Sequence, residues 1–152
     1  ASWQHATAQH VSMEHRRLHW KSHLAGATRV QMPVDDLPED LQPYSFRELR
    51  ISFGTSLSSQ LRQLAQVVGT TVAMLILSLY CGLVARWCSQ NDFVVNFLVD
   101  GRTDPRYSDV VGLFAAGLCL RIRLSGKETF LDLLRLTTSE FFTAYENFDF
   151  GD

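Results

Sequence analysis

Three cysteines, Cys81, Cys88 and Cys119, are all this chain of 152 residues contains. They are odd in number and form neither a CxxC pair nor a zinc-ligand spacing, which excludes a disulfide framework and a structural zinc site and leaves buried, reduced thiols. Basic residues are not in excess: 14 Lys and Arg stand against 16 Asp and Glu, a net charge of -2. A nucleic acid is therefore not the expected partner, because phosphate binding needs a concentrated basic face. Long apolar runs are missing too. The longest, within "TVAMLILSLYCGLVARW", stops at Arg86 and is too short to cross a bilayer, so a core helix covered on most sides is expected, and no membrane partner. The opening "ASWQHATAQH" has neither a basic start nor an apolar core, so no signal peptide is expected and the protein reads as cytoplasmic.

Signature loops of common chemistries are equally scarce. No GxxxxGK[ST] or GxGxxG is present to cradle phosphates, and no GxSxG nucleophile elbow; "SFGTSLSS" has serines without the second glycine. What the chain does have is an ordinary globular composition, with 46% hydrophobic and 20% charged residues. A chain this long buries roughly two-thirds of its unfolded surface, so residues 1–152 read as one unit with a core of its own.

The pattern along the chain is helix, strand, helix, helix, strand, strand, helix. From Ser12 to Leu24, Met13, Leu18, Trp20 and Leu24 recur at mostly helical spacing, and Gly26 stands where a left-handed cap would. The segment from Gln31 to Tyr44 holds three prolines and four acids and suits an extended surface crossing. In "FRELRISF", Leu49, Ile51 and Phe53 alternate with Glu48, Arg50 and Ser52, the signature of a strand with one wet face. After Gly54, Leu57, Leu61, Leu64, Ala65 and Val68 give an amphipathic helix closed by Gly69. Thr70 or Thr71 then caps a second helix to about Cys88, apolar all round and expected at the centre of the core.

"DFVVNFLV" reads as a strand covered on both faces, and "LCLRIRL" as a strand with one polar face, Cys119, Arg121 and Arg123. Between them lies a polar loop with Asp100, Gly101, Arg102, Asp104, Pro105 and Arg106. Thr129 caps the last helix, with Asp132 in its first turn and Phe130, Leu134, Phe141 and Tyr145 along one side. The expected fold is α/β, a two-layer sandwich of a mixed sheet with helices packed on it.

The five histidines fall early, and His15, His19 and His23 share a helix face at i, i+4, i+8. Two helical histidines four apart can chelate a metal, but catalysis by zinc needs a third ligand and an open position. The surrounding "EHRRLHWKSH" is charged, so a solvated face with no functional metal is expected.

Taken in order, several stretches resemble the C-terminal half of a nonribosomal peptide synthetase condensation domain. "HWKSHLAGA" and "MPVDD" resemble that family's "YWKxxLAGA" and "LPxD"; "CSQNDFVVNFLVDGR" resembles "GxxDxVVGxxVxGR"; "VVGLFAAGLCLRIRL" resembles "(I/V)GxFVNTxxxR"; and "YENFDFGD" resembles "(H/N)QDxPF". Trp3-Gln4 fits the end of "YxDYAxWQ". The resemblance implies one lobe of a chloramphenicol acetyltransferase-like fold, two such lobes enclosing a tunnel. It also implies an activity: joining an upstream acyl or peptidyl thioester to the amine of a downstream aminoacyl thioester, both carried on phosphopantetheine arms of carrier proteins. The implied partners are the N-terminal lobe and the donor and acceptor carriers, with no cofactor bound directly.

By the same resemblance, Asp100, Gly101, Arg102, Gly112, Phe114, Ala116 and Arg121 are the residues expected at the tunnel wall or floor. Ala116 and Gly117 replace an asparagine and a threonine of the family pattern, while Arg121 keeps its arginine. The family's catalytic histidine belongs to HHxxxDG, which this chain lacks. No catalytic residue is therefore expected here, and the chain reads as an excised lobe that is inactive alone. Two alternatives are a lobe of a silent condensation-like domain that recruits a partner protein, and a lobe of a stand-alone acyltransferase of the same superfamily.

Overall fold

A computed structural model describes residues 11–33, 48–102 and 105–148. The elements are helix α1 (Val11–His23), helix α2 (Thr55–Val67), helix α3 (Val72–Cys88), strand β1 (Asp92–Asp100), a 3-10 turn (Pro105–Tyr107), strand β2 (Ala115–Arg123) and helix α4 (Phe130–Glu146). The α/β class and the helices-on-sheet layering are as expected. Among the described residues, however, the sheet is a single antiparallel pair rather than a mixed sheet. Its register sets Asp92 opposite Arg123, Val94 opposite Arg121 and Asp100 opposite Ala115.

Chain chemistry explains most boundaries. α1 ends before Gly26, which takes φ 71°. Here a Cβ would be strained and glycine is not. α3 begins at Thr71, whose side chain accepts from the Met74 backbone N–H, and ends at Ser89 in a left-handed conformation. α4 opens with a capping box: the Thr129 side chain accepts from Asp132 N–H, and the Asp132 carboxylate accepts from Thr129 N–H. Thr129 and Asp132 thus satisfy donors that the first turn would otherwise leave bare.

The core lies between one face of the sheet and the helices. Phe93 and Val95 from β1, Leu118, Leu120 and Ile122 from β2, Leu75, Cys81 and Val84 from α3, and Leu133, Leu134 and Ala144 from α4 are all buried. At about 25 cal/mol for each Å² of apolar surface removed from water, residues of this size are the main source of stability.

Four expectations need correction. The "FRELRISF" stretch is not a strand over its described part, 48–53, where Leu49 and Ile51 are 83% and 71% exposed. Alternation supplies two faces but no hydrogen-bond partner, and no described strand lies beside it to complete a ladder. β1 is buried mainly on one face: Phe93 and Val95 are covered while Leu98 is 76% exposed. α3 is likewise half covered, with Ile76, Leu79, Tyr80, Leu83 and Trp87 exposed opposite its buried stripe. The buried stripe of α4 runs through Leu133, Leu134, Thr137 and Ala144, leaving Phe130 and Tyr145 at its margin. Periodicity gives a face, but the neighbours decide how wide a face is covered.

No described single helix is long and apolar enough to cross a membrane; α2 and α3 meet at 97°.

Candidate functional site

The polar loop after β1 is organised around Arg102. Its guanidinium donates through Nη1 to the carbonyls of Tyr107 at 2.7 Å and Val110 at 2.9 Å. The same group lies 4.0 Å over the Phe114 ring, a cation–π contact. The Arg102 backbone N–H donates to Asp100 Oδ1 at 3.1 Å, and Gly101 N–H donates to Phe114 O at 3.0 Å, so the loop leaves and re-enters the sheet through adjacent residues. Gly112 sits against Phe114: a Cβ there would stand 3.3 Å from Phe114 Cε2.

Of the expected site residues, Asp100, Gly101, Arg102, Gly112 and Phe114 are thus brought together. The loop also presents Val110, Val111 and Leu113 to solvent. Asp104 lies outside the described residues, as do His5, His10, Trp3-Gln4 and the "DFGD" end.

Ala116 pairs with Val99 and shares the core-facing parity of Leu118, packing against the core. Gly117 is on the opposite face, with nothing within 4 Å of where a Cβ would stand. Arg121 is six positions beyond Ala115, about 20 Å along the strand, and belongs to a different part of the molecule. There it is 7% exposed. It grips Asp92 with two parallel bonds, Nε to Oδ1 at 2.8 Å and Nη2 to Oδ2 at 2.7 Å. Nη1 donates to the His23 and Ala25 carbonyls at 2.7 and 2.8 Å, sewing the end of α1 to the sheet. The guanidinium holds the Asp92 carboxyl below the usual carboxylate range, chiefly through those hydrogen bonds.

A second cluster joins the three histidines grouped by helical spacing to Glu140, which the sequence does not place. The face with His15, His19 and His23 is not simply solvated. His19 and His23 stack at 5.3 Å and 12°, and His23 Nε2 lies 3.1 Å from Glu140 Oε2 on α4. With Ser22, Leu18 and Arg123 these histidines line a shallow groove of about 510 Å³. Helical spacing showed that the histidines share a face; that Glu140 meets them depends on how α1 and α4 pack. Among the described residues, no group of three or more His, Cys, Asp or Glu side chains could hold a metal ion.

A third feature is an apolar groove of about 490 Å³ between the α2–α3 turn and α4, lined by Val68, Leu131, Leu134 and Phe142 with Arg135 and Ser139. The thiol of Cys81 offers no nucleophile: burial pushes it up to about 11, so it stays protonated at neutral pH.

Comparison with known proteins matches the Condensation domain family over residues 1–152. Tyrocidine synthase 3 of Brevibacillus parabrevis is 32% identical over 151 residues, covering 99% of this chain and 2% of that protein. Bacitracin synthase 2 of Bacillus licheniformis is 28% identical over 151 residues, covering 99% of this chain and 6% of the relative. The chain thus spans a small part of the curated relatives it matches. Among solved structures, SgcC5 of Streptomyces globisporus superposes with a TM-score of 0.83 at 22% identity, over 97% of this chain and 33% of that one. The first condensation domain of the CDA synthetase gives 0.78 at 16% identity, over 97% and 32%. At such identities the structures speak for the fold, one lobe of the chloramphenicol acetyltransferase-like type. With the family matched from residue 1 to residue 152, the chain belongs to the condensation-domain family.

Proposed function

We propose that this chain is the C-terminal lobe of a domain that makes amide bonds between carrier-bound substrates, and that it supplies one wall and floor of the tunnel in which they meet. The observation that carries this reading is the family match along the whole chain. In the proposed reaction, the amine nitrogen of a downstream aminoacyl thioester attacks the carbonyl carbon of an upstream thioester. The C–N bond forms, the C–S bond breaks, the thiol of the upstream arm leaves, and the proton lost by the amine ends on that sulfur. Positioning supplies much of the acceleration in a reaction of this kind, because two tethered reactants become effectively unimolecular.

The part assigned to this chain is positional. Arg102 ties together the backbone at Tyr107 and Val110, and Val111 and Leu113 offer apolar surface beside them. Both substrates would arrive on phosphopantetheine arms of carrier proteins, in the cytoplasm, with the N-terminal lobe providing the HHxxxDG histidine. Relatives of multidomain construction fit this reading: holo-AB3403 is a four domain nonribosomal peptide synthetase.

A photo-crosslinking phosphopantetheine analogue on an acceptor carrier tests the assignment. With the chain combined with its complementary lobe, cross-links should map to residues 100–117. Labelling elsewhere, with the loop untouched, would contradict the proposed wall.

A further inference from the structure

Helix α1 is fastened to the rest of the chain at a few points. Trp20 Nε1 donates to Asn147 O at 2.9 Å, and Arg16 Nη1 donates to Phe148 O at 3.0 Å, both just past the end of α4. Beside these fasteners sits the pair of stacked imidazoles, with Trp20 edge-on to His19 at 5.3 Å and to His23 at 6.0 Å. His23 faces Glu140, and its side chain is 15% exposed. His19 Nε2 is buried and has no hydrogen-bond partner. The remaining charged groups around the pair are His15 on α1, Arg123 of β2 in the same groove, and Arg121 of β2, whose charge acts on Glu140.

One carboxylate serves two imidazoles. Glu140 stands against His23, 3.1 Å from its Nε2. A proton on His19 falls on a ring stacked 5.3 Å from the His23 imidazole, with its Nε2 shut away from water and without an acceptor. We propose that His19, His23 and Glu140 form an acid-sensitive clip, holding α1 against α4 while His19 is neutral and releasing it when His19 takes up a proton. In support, burial first, and then the neighbouring His23 and His15, hold His19 below the ordinary histidine range, with Glu140 a smaller opposing influence.

A group whose pKa is lowered by docking takes up its proton more readily when the helix is free. Docking is therefore complete above the ordinary histidine value of about 6.5 and weakens as pH falls below it, through the docked value. Each pKa unit between the two states is a tenfold change in the docking equilibrium. The clip does not rest on the proposed condensation activity.

Hydrogen exchange of the 152-residue chain, followed by mass spectrometry from about pH 7.5 to about pH 5 and corrected with an unfolded reference, tests it. The peptide covering residues 14–24 should lose protection about tenfold for each pKa unit involved, while β1 and β2 peptides keep theirs. His19→Gln should flatten this dependence. Glu140→Gln, which removes the counter-ion, should move the loss to higher pH. Constant protection of α1, an equal loss across the sheet, or an unaltered profile in both variants would overturn the proposal.

Discussion

Arg121 and Asp92 meet through two parallel hydrogen bonds of 2.8 and 2.7 Å, a diagonal contact across the antiparallel pair that also brings the Arg121 guanidinium under the carbonyls ending α1. One planar cation thus joins strand, neighbouring strand and helix end, which a lysine ammonium cannot do with the same geometry. Arg121→Ala and Arg121→Lys should both lower the melting temperature, Arg121→Ala more. Each should cost clearly more than Glu48→Ala, which breaks the exposed pair with Arg50. Equal melting of Arg121→Ala and Glu48→Ala in calorimetry would refute the role.

The core and the loop rim should respond in opposite ways to truncation. Leu120 is fully buried, so Leu120→Ala should destabilise by about 2–5 kcal/mol in denaturant titration. Leu113 is 85% exposed, and Leu113→Ala should stay within about 0.5 kcal/mol while weakening any partner that covers the rim.

Cys81 should be the last thiol to react. It is fully buried and its pKa is pushed up to about 11, whereas Cys88 and Cys119 are partly exposed. Alkylation near neutral pH, mapped by mass spectrometry, should label Cys88 and Cys119 first and reach Cys81 only on unfolding. Early labelling of Cys81 would mean that α3 and α4 part readily.

The turn before α4 should carry an acid dependence. Glu128 accepts from the Ser125 and Gly126 backbone N–H groups at 2.6 and 3.0 Å, and these bonds, Ser125 foremost, bring it down to about 2. Its contribution is therefore fully present above the unfolded carboxylate value of about 4.3 and fades as pH falls towards the folded value. Glu128→Gln should lower stability at neutral pH and flatten the stability profile across that acid window. A parallel, merely displaced profile would show that Glu128 does not titrate in this way.

Much of this was legible where the signal is local. Gly26 and the Thr129–Asp132 box mark helix ends because the conformation or the capping bond lies within a few residues. The loop residues Asp100 to Phe114 were found through family motifs, but their arrangement around Arg102 was not, since it depends on backbone carbonyls that have no sequence identity. Asp92 as the partner of Arg121 lies 29 residues away and needs the strand register. Glu140 became a partner of His23 only through helix packing. The "FRELRISF" reading failed for a related reason: alternation describes one strand, while a sheet needs two.

The central claim, that the chain is one lobe of an amide-forming condensation domain, is tested most directly by product formation. The chain is mixed with a separately expressed N-terminal lobe and with loaded donor and acceptor carrier proteins, and carrier-bound peptide is followed by mass spectrometry. The account predicts no product from the chain alone or from the N-terminal lobe alone, and product from the mixture. Product from the isolated chain, or none from a mixture in which both lobes are folded and associated, would contradict it.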